Sequence, residues 1–177
     1  MIMPSGHGRL LLPVRPTFIV WSLLVALLLR MGLVLAGGRA GVWLPDLLLI
    51  TILYWTVVQP RYVGLGLAFA AGLCADVFHY SLLGQHALVY VSMAAATLYM
   101  QRRLQHFSAL EQAPQIALIF FAGQLLLVLI GVISSHSWPG WLALLKPALE
   151  LMLWPVIAWV LQMPQRMPVD PDLHRPL

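Results

Sequence analysis

The sequence predicts an all-α polytopic membrane protein, a six-helix transmembrane bundle, and three observations predict it. Apolar stretches approaching the ~20 residues that cross a bilayer core recur along the chain. Charged residues make up 9% of the 177, against about 25% in an average soluble domain, which is too little charge to cover a water-facing surface. The positive side chains gather in the short segments between apolar stretches, as membrane topology requires. The chain is 61% hydrophobic with a mean hydropathy of +0.88, and carries a net charge of +4 and a pI of about 9.7. In a soluble protein that basicity would raise the question of nucleic acid. Here topology accounts for it, and no nucleic-acid partner is expected.

In chain order, residues 1–16 hold prolines, glycines, Arg9 and Arg15 and read as a cytoplasmic tail. Six spans are predicted over Thr17–Ala36, Val42–Val58, Val63–Phe78, Leu83–Met100, Ile116–Ser134 and Trp141–Leu161. At ~1.5 Å rise per residue the longer ones cover a core of roughly 30 Å, and the shorter ones need local thinning. The membrane domain therefore runs over 17–162, followed by a polar, proline-broken cytoplasmic tail over 163–177, expected to be disordered. The apolar run Phe18 to Leu35 exceeds the ~7–15 residues of a signal-peptide core and reads as a retained first span. Leu104, Phe107 and Leu110 recur at helical spacing in the longest predicted cytoplasmic connection, which reads either as a short helix on the inner leaflet or as an ordinary basic loop.

Orientation follows from the loops. With the N-terminus inside, cytoplasmic segments hold Arg9, Arg15, Arg61, Arg102, Arg103, Arg166 and Arg175, while outer loops hold only Arg39. Both termini are thus expected in the cytoplasm. Trp43, Tyr80, Trp138 and Trp141 fall at the outer interface, and Trp21, Trp55, Tyr62 and Tyr99 at the inner one.

Five ionisable residues then share the outer half of the membrane: Arg30, Asp46, Asp76, Lys146 and Glu150. An ionised group at that depth costs a few kcal/mol or more unless it faces protein or water, so the five form a candidate partner-binding or ligand-binding cluster. Opposite charges at one level can neutralise one another if their helices adjoin. The row Gly64, Ala68, Gly72, Asp76 puts small residues at four-residue steps, which favours close helix packing and makes span three the expected centre of the bundle, with Arg30 the expected partner of Asp76. Two readings stay open: ion pairs that fix helix order, or the lining of an outward cavity. For Asp46 a simpler role is a helix start after Pro45. Pro155 lies mid-span, where it removes a backbone hydrogen bond and kinks the helix.

The pattern Asp76-x-x-His79, with His86 beyond, supplies too few ligands for a zinc site, and no metal or cofactor is expected. Metalloprotease, serine-hydrolase, Walker and dinucleotide-binding motifs are absent, so the chain is not expected to be an enzyme. The single cysteine, Cys74, excludes an internal disulfide.

Pro45-Asp46-Leu47 leading into Leu53-Tyr54-Trp55, Pro60-Arg61 in the next turn, Gly72-Leu73 with Asp76, Leu83-Gly84 with Ala87-Leu88, and Leu153-Trp154-Pro155 together resemble the MreD family of bacterial rod-shape membrane proteins. The resemblance runs over nearly the whole chain. It implies a non-enzymatic scaffold of the inner-membrane elongation machinery that binds MreC and helps organise peptidoglycan synthesis. Indirect partners would be the elongation glycosyltransferase, the class B transpeptidase and MreB. It also implies a fold similar to the substrate-binding (S) subunits of energy-coupling-factor transporters. Asp76 and Pro155 match the family's third-span aspartate and last-span proline. The alternative is a small transporter or ligand-binding membrane subunit with an outward-facing charged cavity.

Overall fold

The computed structural model describes residues 15–37, 44–79, 82–108, 110–135 and 140–165, with the backbone alone at 79, 135, 141 and 142. The expectations placed on most of the N-terminal tail, on the C-terminal tail from residue 166, on Arg39, Trp43, Tyr80 and Trp138, and on the side chains of His79 and Trp141 lie outside those residues. Among the described residues the chain is all-helical, with six α-helices: α1 (Pro16–Gly37), α2 (Leu47–Val58), α3 (Leu65–His79), α4 (Gln85–Leu104), α5 (Ala113–Ser135) and α6 (Leu145–Gln162). A 3-10 turn at Trp141–Leu144 leads into α6, and another at Met163–Gln165 follows it. Three stretches, Pro16–Gly37, Ala113–Ser134 and Leu145–Gln165, are long and apolar enough to cross a bilayer, while α2 and α3 are shorter apolar helices.

The ends of the helices have local causes. Helix α2 starts one residue after Asp46, whose carboxylate accepts the Leu49 amide at 3.2 Å and so satisfies an N–H that the helix leaves orphaned. Its other end is closed by α4: Gln101 and Gln105 both donate their side-chain amides to the Val57 carbonyl, at 3.2 and 2.7 Å. Gly84 sits at φ +99°, a left-handed conformation that favours glycine, and α4 begins after it rather than at Leu83. Pro114 occupies the first turn of α5, where its missing N–H costs nothing.

The centre of the bundle is α2, a correction to the expectation of span three. Every residue from Leu48 to Val57 is buried, and α2 packs against α1, α4 and α6. A twelve-residue helix rises about 18 Å, less than the bilayer core, and it is tolerated because its neighbours screen it from lipid. Helix α3 instead buries one stripe, Ala68, Gly72, Ala75 and Asp76, half-buries Leu67, Ala71, Leu73 and Phe78 beside it, and exposes its far face. A Cβ added at Gly72 would fall 2.7 Å from the Ala87 amide nitrogen and 2.9 Å from the His86 carbonyl oxygen, so the α3 and α4 backbones touch there as small-residue packing predicts. Gly64 plays no such part: it precedes α3, its carbonyl accepts the Ala68 amide, and an added Cβ would come no closer than 3.9 Å to Pro60.

Trp55 is fully buried, a second correction, since an interfacial belt would leave it partly exposed. Its indole N–H donates to Ser22 at 2.8 Å, and its ring begins a series of tilted and edge-on contacts that joins Phe18, Trp55, Tyr54, Trp154 and Phe120 across α1, α2, α6 and α5. Trp21, Tyr62 and Tyr99 are exposed. The connection after α4 forms turns rather than a surface helix: Gln112 donates to the Leu104 and Phe107 carbonyls and accepts from the Trp154 indole at 3.2 Å, which ties the turn to α6.

A buried charge cluster as candidate functional site

The helices run up and down, so the C-terminal parts of α1 and α3 and the N-terminal parts of α2, α4 and α6 meet at one end of the bundle. Arg30, Asp46, Asp76, Lys146 and Glu150 all lie there, and all are buried. At the other end Arg15, Arg61, Arg102 and Arg103 are exposed.

Four of the five residues form one network. The Arg30 guanidinium lies 3.8 Å from Asp46 and donates to the Leu44 carbonyl at 3.1 Å. Asp46 also accepts a short hydrogen bond from the Tyr90 hydroxyl. Its backbone amide donates to Glu150 at 3.2 Å, and the same Glu150 oxygen lies 3.9 Å from the Lys146 ammonium one turn away. Two cations and two anions thus compensate one another, and α1, α2, α4 and α6 each contribute. Breaking such a buried pair strands its partner at a cost of roughly 3–5 kcal/mol.

Asp76 is placed differently from the expectation that Arg30 partners it, because Arg30 reaches Asp46 and Asp76 is turned to the start of α4. Its carboxylate accepts the amides of Gly84 at 2.8 Å, His86 at 2.7 Å and, more weakly, Ala87 at 3.4 Å, and meets the His86 Nδ1 at 2.8 Å. It is an N-terminal cap supplied from another helix, where a negative charge also meets the positive end of the helix dipole. Tyr90 was missed by the sequence reading, and His86 entered it only as a metal ligand with too few companions. Their signal was present, since His86, Tyr90 and Thr97 recur on one face of α4 and all three are buried.

The two groups share a chamber of about 10 Å³ whose wall includes Asp46, His86, Tyr90, Gln124, Lys146 and Glu150. That volume suits one water molecule. Two larger grooves, of about 430 and 350 Å³, are almost wholly apolar and open on the outer surface of the helices. One lies between the α4–α5 turn and α6 beside Pro155 and Trp159, the other between α1, α2 and α6. Pro155 stands inside a continuous α6, partly buried against the first groove. Among the described residues no three of His, Cys, Asp and Glu come together as a metal site would need.

Apolar helices, a few charges turned inward and neutralised, and a basic rim at one end define a helical membrane protein braced from within. Residues 14–164 match the family described as rod shape-determining protein MreD, and the chain belongs to that family. Its role is accordingly in rod shape determination. A curated relative, the rod shape-determining protein MreD of Haemophilus influenzae (strain ATCC 51907 / DSM 11121 / KW20 / Rd), is 28% identical over 130 residues, covering 73% of this chain and 78% of the relative. No solved structure matches the chain.

Proposed function

We propose that the chain is a non-enzymatic scaffold of the rod-shape machinery in the bacterial inner membrane, with six spans over 17–162 and both terminal tails in the cytoplasm. It binds the membrane helix of MreC and so presents MreC to the glycosyltransferase and class B transpeptidase that build peptidoglycan, with MreB on the cytoplasmic side. The observation that carries this reading is the internal placement of the charge network. Asp46 and Asp76 are fully buried and Glu150 is 2% exposed, so these charges brace the bundle and leave partner contacts to its outer faces. The packing row Gly64, Ala68, Gly72 is likewise turned inward or lies outside the helix. Helix α3 still offers Gly66, Ala70 and Cys74 outward at four-residue steps, and a Cβ at Gly66 would meet nothing within 4 Å. Such a face admits another helix closely.

The exposed arginines at one end support the cytoplasmic placement of that end. The ligand-binding alternative needs room beside the charges, and a chamber of about 10 Å³ falls far below the ~300–1,000 Å³ of small-molecule sites. Copurification with MreC from native membranes, followed by cross-linking from the single native Cys74, tests the scaffold. Retention of MreC is expected, with a cross-link to its membrane helix that Ala70→Trp abolishes. Loss of copurification would sink the scaffold reading, and copurification without any Cys74 cross-link would remove α3 as the docking face.

A further inference from the structure

Helices α1 and α6 both pack on α2 and scarcely touch each other, so a groove of about 350 Å³ opens between them on the outer surface of the bundle. Ala26 and Thr51 lie buried within it, while Trp21, Val25, Leu29 and Val160, each about half exposed or more, stand at its rim. The hydroxyls in the lining are already committed. Ser22 donates to the Ile19 carbonyl and accepts the Trp55 indole N–H, and Thr51 donates to the Leu47 carbonyl, each at 2.8 Å. What remains is a hydrocarbon surface. Phe18 to Leu29 of α1 extend it over about 16 Å, and its volume spread over that length makes a channel narrower than the ~10–12 Å of a helix with its side chains. An extended acyl chain fits that shape.

The two ends of the channel differ in charge. Arg15 stands one turn before Phe18, its carbonyl accepting the Phe18 amide at 2.9 Å, and its side chain is exposed. At the other end Leu29 and Leu47 are followed or preceded by Arg30 and Asp46, which are buried and turned to each other. A slim apolar channel with an exposed guanidinium beyond its mouth and an exposed indole, Trp21, on its rim matches a phospholipid, with hydrocarbon inside and phosphate outside. We propose that the groove is a site for one acyl chain of an anionic phospholipid whose phosphate pairs with the Arg15 guanidinium. The acyl chain closes over α2 between α1 and α6, so the lipid completes the packing of the central helix. A choline headgroup brings its own cation beside Arg15 and is disfavoured. The site works in the same way whichever face of the membrane Arg15 occupies, and it needs no protein partner.

Native mass spectrometry tests this on the full chain, released from detergent after incubation with equal amounts of dioleoyl phosphatidylglycerol and dioleoyl phosphatidylcholine. The unmodified protein should retain one phosphatidylglycerol in about tenfold preference over phosphatidylcholine. Arg15→Gln should remove the preference and leave weak retention of both lipids. Val25→Trp, which fills the channel from its exposed rim, should abolish retention of either, and Val160→Trp fills it from α6 should Val25→Trp fail to insert. Equal retention of the two lipids by the unmodified protein, or retention of neither, as a groove reserved for another helix would give, would overturn the proposal. So would phosphatidylglycerol that stays bound once the channel is filled.

Discussion

The side chain that most of the network depends on is Asp46. It caps α2, balances Arg30 and receives the Tyr90 hydroxyl, so Asp46→Ala removes three interactions at once. We expect a loss of roughly 3–5 kcal/mol, read as a fall in midpoint temperature of the detergent-solubilised protein. The double change Arg30→Leu with Asp46→Leu should cost clearly less than the sum of the two single changes, and strictly additive midpoints would argue against contact. Asp76→Ala leaves α4 amides and His86 without their acceptor and should cost about 1–3 kcal/mol. The residue types at these positions were legible in the sequence, because ionisable groups are rare enough in an apolar chain to stand out singly. Their pairing was not, since Arg30 has Asp46 and Asp76 available at the same depth and only the packing of α2 beside α1 decides between them. Outside the membrane, Glu111 accepts the Ser108 amide at 2.8 Å, which holds its carboxyl below the ordinary 4.5. A depressed value means that the contact favours the folded turn above about pH 4.5 and is lost as pH falls through the lowered value. The protection factor of the Ser108 amide, the unstructured exchange rate divided by the observed rate at the same pH, should therefore fall on acidification through that window and stay constant across neutral pH.

At the scale of the helix, the two glycines of α3, Gly72 buried and Gly66 exposed, make opposite predictions. A Cβ at Gly72 runs into the α4 backbone, whereas one at Gly66 meets open space. Gly72→Ala should lower stability by about 1–3 kcal/mol through displaced backbone, and Gly66→Ala should leave it unchanged or raise it by up to about 1 kcal/mol through helix propensity. Thermal unfolding of the two variants side by side settles the register of α3 against α4. Five of the six helix positions follow from apolar run length, and their ends from Asp46, Gly84 and Pro114, each of which acts through its nearest neighbours. Span six needed more: its first turn is 3-10 before α6 proper begins. The centrality of α2 was hidden because apolar residues look alike whether they face lipid or protein, and Leu47 to Val58 carries no polar stripe to mark an inside.

For the whole molecule, the fold sorts charge by end: exposed arginines at one, compensated buried pairs at the other. Cysteines introduced at the Arg61 and Arg102 positions in a Cys74→Ala background should react with a membrane-impermeant maleimide only after the cytoplasmic face is opened, and labelling of intact spheroplasts would reverse the orientation. The order of assembly also follows from where Asp76 finds its partners. Gly84, His86 and Ala87 come eight to eleven residues after it, so the acceptor and its donors leave the ribosome within seconds of one another. A lone third helix would bring a bare carboxylate to the lipid gate of the translocon. Entering together with the fourth as a ready-made hairpin, it would arrive with its carboxylate already hydrogen-bonded, and the two helices are expected to insert as a single unit.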